Sequence, residues 1–264
     1  MEAVSYAMRV TVLGARGSVP VSGPDYRVFG GATSCLQIEA EGRALLLDAG
    51  TGILRARLPG DGPLDILFTH THADHTMGLP MLPALGQAGR RITLWGVPRA
   101  GLALEAQLER LISPPLWPVR LVDFPAAADC RAPRFPLALP PFTVTAMESC
   151  HPGGSLIYRV EAGGRSLVYA TDFEHRPEAV ERLAAFSRGT DLLLYDAQYT
   201  PEEYPRRQGF GHSTAEMGLL IARECGARQL LLIHHDPSHT DAMLMERERQ
   251  LGARFAREGE VIVL

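Results

Sequence analysis

The stretch DILFTHTHADHTMGLP, Asp65 to Pro80, sets His70, His72, Asp74 and His75 within six positions, directly behind the apolar run Ile66, Leu67 and Phe68. Several uncharged imidazoles crowded at the end of a buried strand have little reason to be there without a cation. If Ile66 to Thr69 form that strand, His70 lies at its carboxyl end, where α/β folds place their sites, and the chain then turns into a helix. In an extended stretch His70 and His72 share a face. Asp74 and His75 follow in the turn and point back from another side, so two pairs converge on two adjacent points.

Imidazole nitrogen and carboxylate oxygen suit zinc, manganese or iron, and one such ion needs three or four of them. Four residues are too few for two closed sites, so further ligands must come from other strand ends. The sequence offers His151 behind FTVTAMESC, Asp172 behind SLVYAT, and His234 with His235 behind QLLLI. Taken singly, His151 reads equally well as a solvated turn histidine, and Asp172 as a cap for a helix starting near Pro177. His175 and His239 read as surface or supporting histidines.

The rest of the chain says what can carry such a cluster. At 264 residues and 46% hydrophobic content it can bury one large core or two small ones. Strands are expected over RVTVLGARGSVP, SCLQIEAEGRALLLDAG and DILFTH, and again over FTVTAME, LIYRVEAGGRSLVYATD, DLLLYDA, QLLLIHH and EVIVL, with a tight hairpin through Gly163 and Gly164. Helical periodicity runs through VPRAGLALEAQLERLI, RPEAVERLAAFSRG, STAEMGLLIARECGA and TDAMLMERERQLGARFAREG. The Pro-rich segment from Ile112 to Pro141 reads as loops with a short strand around Leu121 to Phe124. Together with Gln208 to Gly211 it is expected to shape the pocket mouth. The two similar halves imply an αββα sandwich, two β-sheets face to face with helices outside, in one domain over 1–264.

Composition narrows the function. The four cysteines stand singly with no C-x-x-C spacing, which excludes a disulfide framework and a thiolate zinc site. A net charge of −4 lacks the basic face of a duplex-DNA binder but leaves room for a small anionic substrate. The N-terminal MEAVSYAMRVTVLG has no long apolar stretch, and no later segment approaches the roughly 18 apolar residues of a membrane span. A cytoplasmic protein with no membrane partner is the expectation.

HTHADH matches the H-x-H-x-D-H signature of the metallo-β-lactamase fold superfamily, and DAG, ESCHPGG, YATDFEH and LLLIHHDP follow in that superfamily's usual order. The resemblance spans Val10 to His235. It implies a binuclear site of two divalent ions, zinc first with manganese or iron as alternatives: His70, His72 and His151 on one, Asp74, His75 and His234 on the other, Asp172 bridging. His234 rather than His235 is favoured by the LTH of related phosphodiesterases. Asp48 in LLLDAG then looks like the carboxylate that orients a ligand histidine; as a plain strand-end residue it would cap the Gly50 to Gly52 turn. GGATSC, Gly30 to Cys35, reads either as backbone amides facing the site or as a turn before a strand.

Such a site points to hydrolysis, since two ions lower the pKa of water and neutralise substrate charge. The deciding feature is GFGHSTAEMG, which resembles the region of the transfer-RNA 3′-processing endonucleases and their small-molecule phosphodiesterase relatives. In those proteins a G-H-S-T histidine lies 22 residues before the last metal ligand, and His212 stands 22 residues before His234. The resemblance implies that His212 protonates a leaving alkoxide or binds a phosphate oxygen, and that Asp74 takes a proton from water. The alternative for His212 is a loop histidine that caps the next helix with Ser213. The endonucleases insert a long RNA-gripping arm between the third histidine and the bridging aspartate, and the 21 positions from His151 to Asp172 leave no room for one. The expectation is therefore an arm-less metal-dependent phosphodiesterase on a small or cyclic phosphodiester. The alternatives are a single-stranded RNA nuclease, for which RPEAVERLAAFSRG and YPRRQGF would supply contacts, and a lactone or thioester hydrolase. A homodimer is compatible with either. A diiron redox protein is disfavoured because those relatives carry Glu where this chain has His72.

Overall fold

The computed structural model describes residues 8–264; the reading of the N-terminal leader falls largely on residues 1–7, outside them. Thirteen strands form two sheets. The first contains β1 (Arg9–Gly14), β2 (Cys35–Ala40), β3 (Arg43–Leu47), β4 (Leu64–Leu67), β5 (Arg91–Trp95), β6 (Ala127–Arg131) and β13 (Val261–Val263), in the order β13-β1-β2-β3-β4-β5-β6. The second contains β7 (Leu137–Leu139), β8 (Phe142–Glu148), β9 (Leu156–Ala162), β10 (Arg165–Ala170), β11 (Leu192–Asp196) and β12 (Gln229–Ile233), in the order β12-β11-β10-β9-β8-β7.

Each sheet is mixed, with three antiparallel and three parallel pairings in the first and three antiparallel and two parallel in the second. β3 to β6 run parallel, as do β10 to β12, while β1 to β3 and β7 to β10 pair antiparallel. The parallel strands β4, β11 and β12 read in sequence as aliphatic runs, as strands covered on both faces must. Val10, Ile38, Leu45 and Leu47 of the first sheet meet Val144, Tyr158, Leu167 and Leu194 of the second in one buried cluster. Two further clusters cover the outer faces. One packs α2 (Leu104–Glu109) and the turns near Leu79 and Leu85 on the first sheet, and the other packs α3 (Pro177–Phe186), α4 (Ala215–Cys225) and α5 (Asp241–Leu251) on the second. The αββα layering is as expected. No helix among the described residues is long and apolar enough to cross a membrane.

Several element boundaries differ from expectation for local reasons. The strand expected at Leu121 to Phe124 is a single 3-10 turn over Leu121–Asp123, closed by the Asp123 carboxylate accepting from Arg120 N at 2.8 Å. The strands between Ile112 and Pro141 are β6, which alternates at the sheet edge beside β5, and β7 at the edge of the second sheet. The helix expected from Val97 onward begins only at Leu104, because Ala100 and Gly101 take positive φ and make a turn between Arg99 and Leu102. The last helix stops at Leu251, where Gly252 adopts the left-handed conformation (φ 61°).

Candidate metal centre

Every residue of the cluster comes from the carboxyl end of a strand or the turn behind it. β4 leads through Thr69 into His70, Thr71 and His72, and the single-turn helix α1 (Ala73–Thr76) carries Asp74 and His75. β8 leads to His151, β10 to Asp172 and β12 to His234. Asp48, Asp172 and His234 have φ of 60°, 54° and 64°. This left-handed conformation costs a non-glycine residue about 1–2 kcal/mol. Three strained strand exits at one place mark a backbone shaped for its side chains rather than for stability.

The side chains form two triads. Ligand atoms of His70, His72 and His151 lie within 4.8 Å of one another, and so do those of Asp74, His75 and His234. Asp172 stands between them with one oxygen toward each: Oδ1 lies 3.7 Å from His70 Nε2 and 3.8 Å from His151 Nε2, and Oδ2 lies 3.1 Å from His75 Nε2 and 3.5 Å from His234 Nε2. Apart from His72, each ring has its other nitrogen held by the protein. His75 Nδ1 donates to Asp48 Oδ2 at 2.8 Å, His151 Nδ1 to the Gly211 carbonyl at 3.1 Å, and His234 Nδ1 to Gln198 Oε1 at 2.9 Å, while His70 Nδ1 meets Thr69 Oγ1 at 3.1 Å. Nε2 of His70, His75 and His234 is buried with no hydrogen-bond partner. Buried polar nitrogens are ordinarily paired, and three orphans around one carboxylate fit divalent cations.

The electrostatics of the triads differ. Burial holds His70, His72 and His151 below the ordinary histidine value. Burial also opposes charge on His75 and His234, but Asp172 with Asp74 overrides it, raising His75 well above the ordinary value and His234 to about 9. Burial would push Asp74 and Asp172 up, yet the neighbouring imidazoles hold both well below the carboxylate range. In the protein alone, protons on His75 and His234 do the balancing that a cation would do.

His235 lies outside the cluster. Its Nε2 donates to the Ala256 carbonyl at 2.9 Å between Phe29 and Phe255, and burial with the Arg16 charge lowers it to about 3. His175 Nδ1 bonds Ser213 Oγ at 2.7 Å, and His239 pairs with Glu203. The GGATSC amides turn away from the centre, since Gly31 N and Ala32 N donate to Glu258 Oε2. Its backbone donor comes from an earlier loop instead: Ser18 N donates to Asp74 Oδ2 at 2.7 Å, and Gly17 leaves no room for a Cβ beside the His234 ring.

Sequence reasoning missed Asp196 and Gln198. Asp196 Oδ2 accepts from His212 Nδ1 at 2.9 Å and from Asp172 N at 2.9 Å, and Gln198 holds His234. Their signal was present in DLLLYDAQ, an aliphatic run ending in a carboxylate like LLLDAG. His212 stacks on His234 with ring centroids 4.8 Å apart, and one of its nitrogens comes within 4.8 Å of ligand atoms of His151 and Asp172. A cavity of about 300 Å³ is lined by Thr71, Ala73, Arg99, Gln107 and Leu111.

A paired His and Asp cluster at the parallel ends of two facing sheets is the architecture of the metallo-β-lactamase fold, which implies divalent metal ions. The chain belongs to the beta-lactamase superfamily, whose domain matches residues 43–235. Ribonuclease Z of Ignicoccus hospitalis is 27% identical, across 86% of this chain and 91% of its own. The metallo-β-lactamase fold protein YhfI of Bacillus subtilis superposes with a TM-score of 0.73 at 22% identity, covering 97% of this chain and 98% of its own. A diphosphatase from the PhnP family gives 0.69 at 21%, covering 97% and 98%. The protein is thus a hydrolase-family member related to ribonuclease Z.

Proposed function

We propose that this chain, acting as one domain, is a metal-dependent phosphodiesterase on a small or cyclic phosphodiester. In this reading two divalent ions, zinc or else manganese or iron, are held by His70, His72 and His151 on one side and by Asp74, His75 and His234 on the other, with Asp172 shared. Ions bound there lower the pKa of water and neutralise phosphate charge. Asp74 Oδ2 is fixed by Ser18 N, leaving Oδ1 to take a proton from water.

The observation that carries the reading is His212. Asp196 fixes its Nδ1–H at 2.9 Å, so Nε2 is the atom free to hand a proton to a leaving alkoxide. An alkoxide leaves poorly without that proton, whereas the thiolate of a thioester needs it far less. A second reading, cleavage of short single-stranded RNA, is supported by relatives named ribonuclease Z. The small substrate is preferred because one hairpin, β9 to β10, occupies the chain between His151 and Asp172.

The test is initial rates of the metal-loaded protein on a phosphodiester with an alkoxide leaving group beside a lactone and a thioester. Preferential diester cleavage that needs His212 is expected. Lactone or thioester cleavage without diesterase activity ends the reading. Rates on short RNA that fall steeply with salt, beside little turnover of small diesters, would move the assignment to the nuclease.

A further inference from the structure

Between His151 and His212 the structure carries an aromatic ring that its own core does not use. Phe210 is 52% exposed, although it lies two residues before His212. Its loop is not loosely hung. The buried Glu174 carboxylate accepts from Gly209 N at 2.8 Å and from Gly211 N at 3.3 Å, Phe210 N donates to the Arg207 carbonyl at 3.1 Å, and the Gly211 carbonyl accepts from His151. Gly211 presses so closely on the His151 ring that no Cβ fits there. The backbone that carries the ring is therefore fixed, one residue from the contact with His151 and two from His212.

A cation accompanies it. The Arg207 guanidinium carbon lies 5.6 Å from the Phe210 ring centroid and 5.9 Å from that of Tyr199, whose ring in turn meets His212 edge-on at 5.8 Å. Aromatic faces with an adjacent guanidinium bind planar bases by stacking and their phosphates by charge, without reading base identity. A non-aromatic diester would gain nothing from the ring.

We propose that Phe210, with Arg207, is a stacking subsite for a planar nucleobase, which makes the substrate of the His212 centre a nucleotide-type phosphodiester. The assignment rests on the phosphodiesterase reading for its reaction but not for its binding.

The experiment measures equilibrium binding of adenosine 5′-monophosphate, ribose 5-phosphate and inorganic phosphate to metal-loaded wild type, Phe210→Ala and Phe210→Trp, with molar mass by light scattering and diester hydrolysis followed in parallel. One stacked base should tighten the nucleotide over ribose phosphate by about tenfold. Phe210→Ala should erase that difference while leaving inorganic phosphate unchanged, and Phe210→Trp should keep it. Equal binding of the nucleotide and ribose phosphate to wild type, including no binding of either, overturns the subsite. So does a Phe210→Ala variant that weakens all three ligands alike, which makes the ring a prop for the loop, or one that lowers the molar mass, which makes it a contact between copies. Base-dependent binding without any diester hydrolysis supports the subsite and defeats only the phosphodiesterase reading.

Discussion

The two triads sit on either side of one aspartate, yet they are built from different chemistry. His70, His72 and His151 are three imidazoles held below the ordinary histidine value, steadied by a threonine hydroxyl and a backbone carbonyl, with His70 buried and His72 reaching the surface. Asp74, His75 and His234 are buried and include a carboxylate, their rings steadied by Asp48 and Gln198. The imidazole side is ready for an ion without losing protons and faces solvent. The acidic side attracts a cation more strongly but must release protons to take one. The comparison teaches that a shared bridge does not make two halves equivalent: on the proposed two-ion reading the acidic half is the anchor, and the imidazole half is where substrate and solvent arrive.

The largest test removes the anchor. Asp74→Ala should bring hydrolysis down to the blank and reduce metal content at the acidic side, both read on one preparation by steady-state rates and elemental analysis. Full metal content with full activity would dissolve the distinction. His212→Ala, by contrast, should lower kcat about 10²–10⁴-fold with metal content intact, because His212 acts from beside the triads; a parallel loss of metal would make it a ligand. Asp48→Asn removes the charge bonded directly to His75, reaching His70 only through Thr69 Oγ1, and should weaken metal retention about 10–100-fold, chiefly at the acidic side, in a graded chelator titration. An equal loss from both sides would show the two halves to be one unit.

The smallest effect contrasts two adjacent histidines. His235, held near 3, lies below its unfolded value of about 6.5. The unfolded chain therefore binds more protons in that window, and stability should fall as pH drops from about 6.5 toward 3, by up to ~1.4 kcal/mol per unit. His234, raised to about 9 by Asp172 and Asp74 against burial, works the other way in chelated protein: its contribution is present below about 6.5 and is lost as pH rises through 9. Denaturant midpoints across pH for wild type and His235→Gln, both chelated, separate them. An acid limb equally steep in the variant would rule His235 out as its source.

The sequence exposed those parts of the molecule whose side chains repeat a pattern. Aliphatic runs ending in His or Asp mark where parallel strands deliver ligands, and from them the layered fold, the triads and His212 could be read. Asp196 stayed hidden because a single carboxylate behind LLLY looks like any strand-end cap until distant partners, among them His212 and the Asp172 amide, are brought to it across the sheet. Ser18 was invisible for another reason: its contribution is a backbone N–H, which side-chain identity does not encode. Arg16 would have been placed on the surface as any arginine is, yet it is fully buried, with Nη1 donating to the carbonyls of Asp236 and His239 and Nε to that of Gly30. The turn at Ala100 and Gly101 cut short a helix that periodicity alone would extend.

The left-handed backbone at Asp48, Asp172 and His234 decides which variants of this enzyme family member can be interpreted at all. Alanine at any of the three deletes the functional group and leaves a Cβ in a conformation it resists, so the phenotype mixes lost chemistry with a distorted strand exit. Asparagine tolerates that conformation better than other side chains, and glycine enters it freely. At the two aspartates, Asn changes charge with the shape retained and Gly empties the position with the chain path retained. The difference between that pair is the clean reading of what each carboxylate contributes, and at His234 the Gly variant supplemented with free imidazole is the corresponding control.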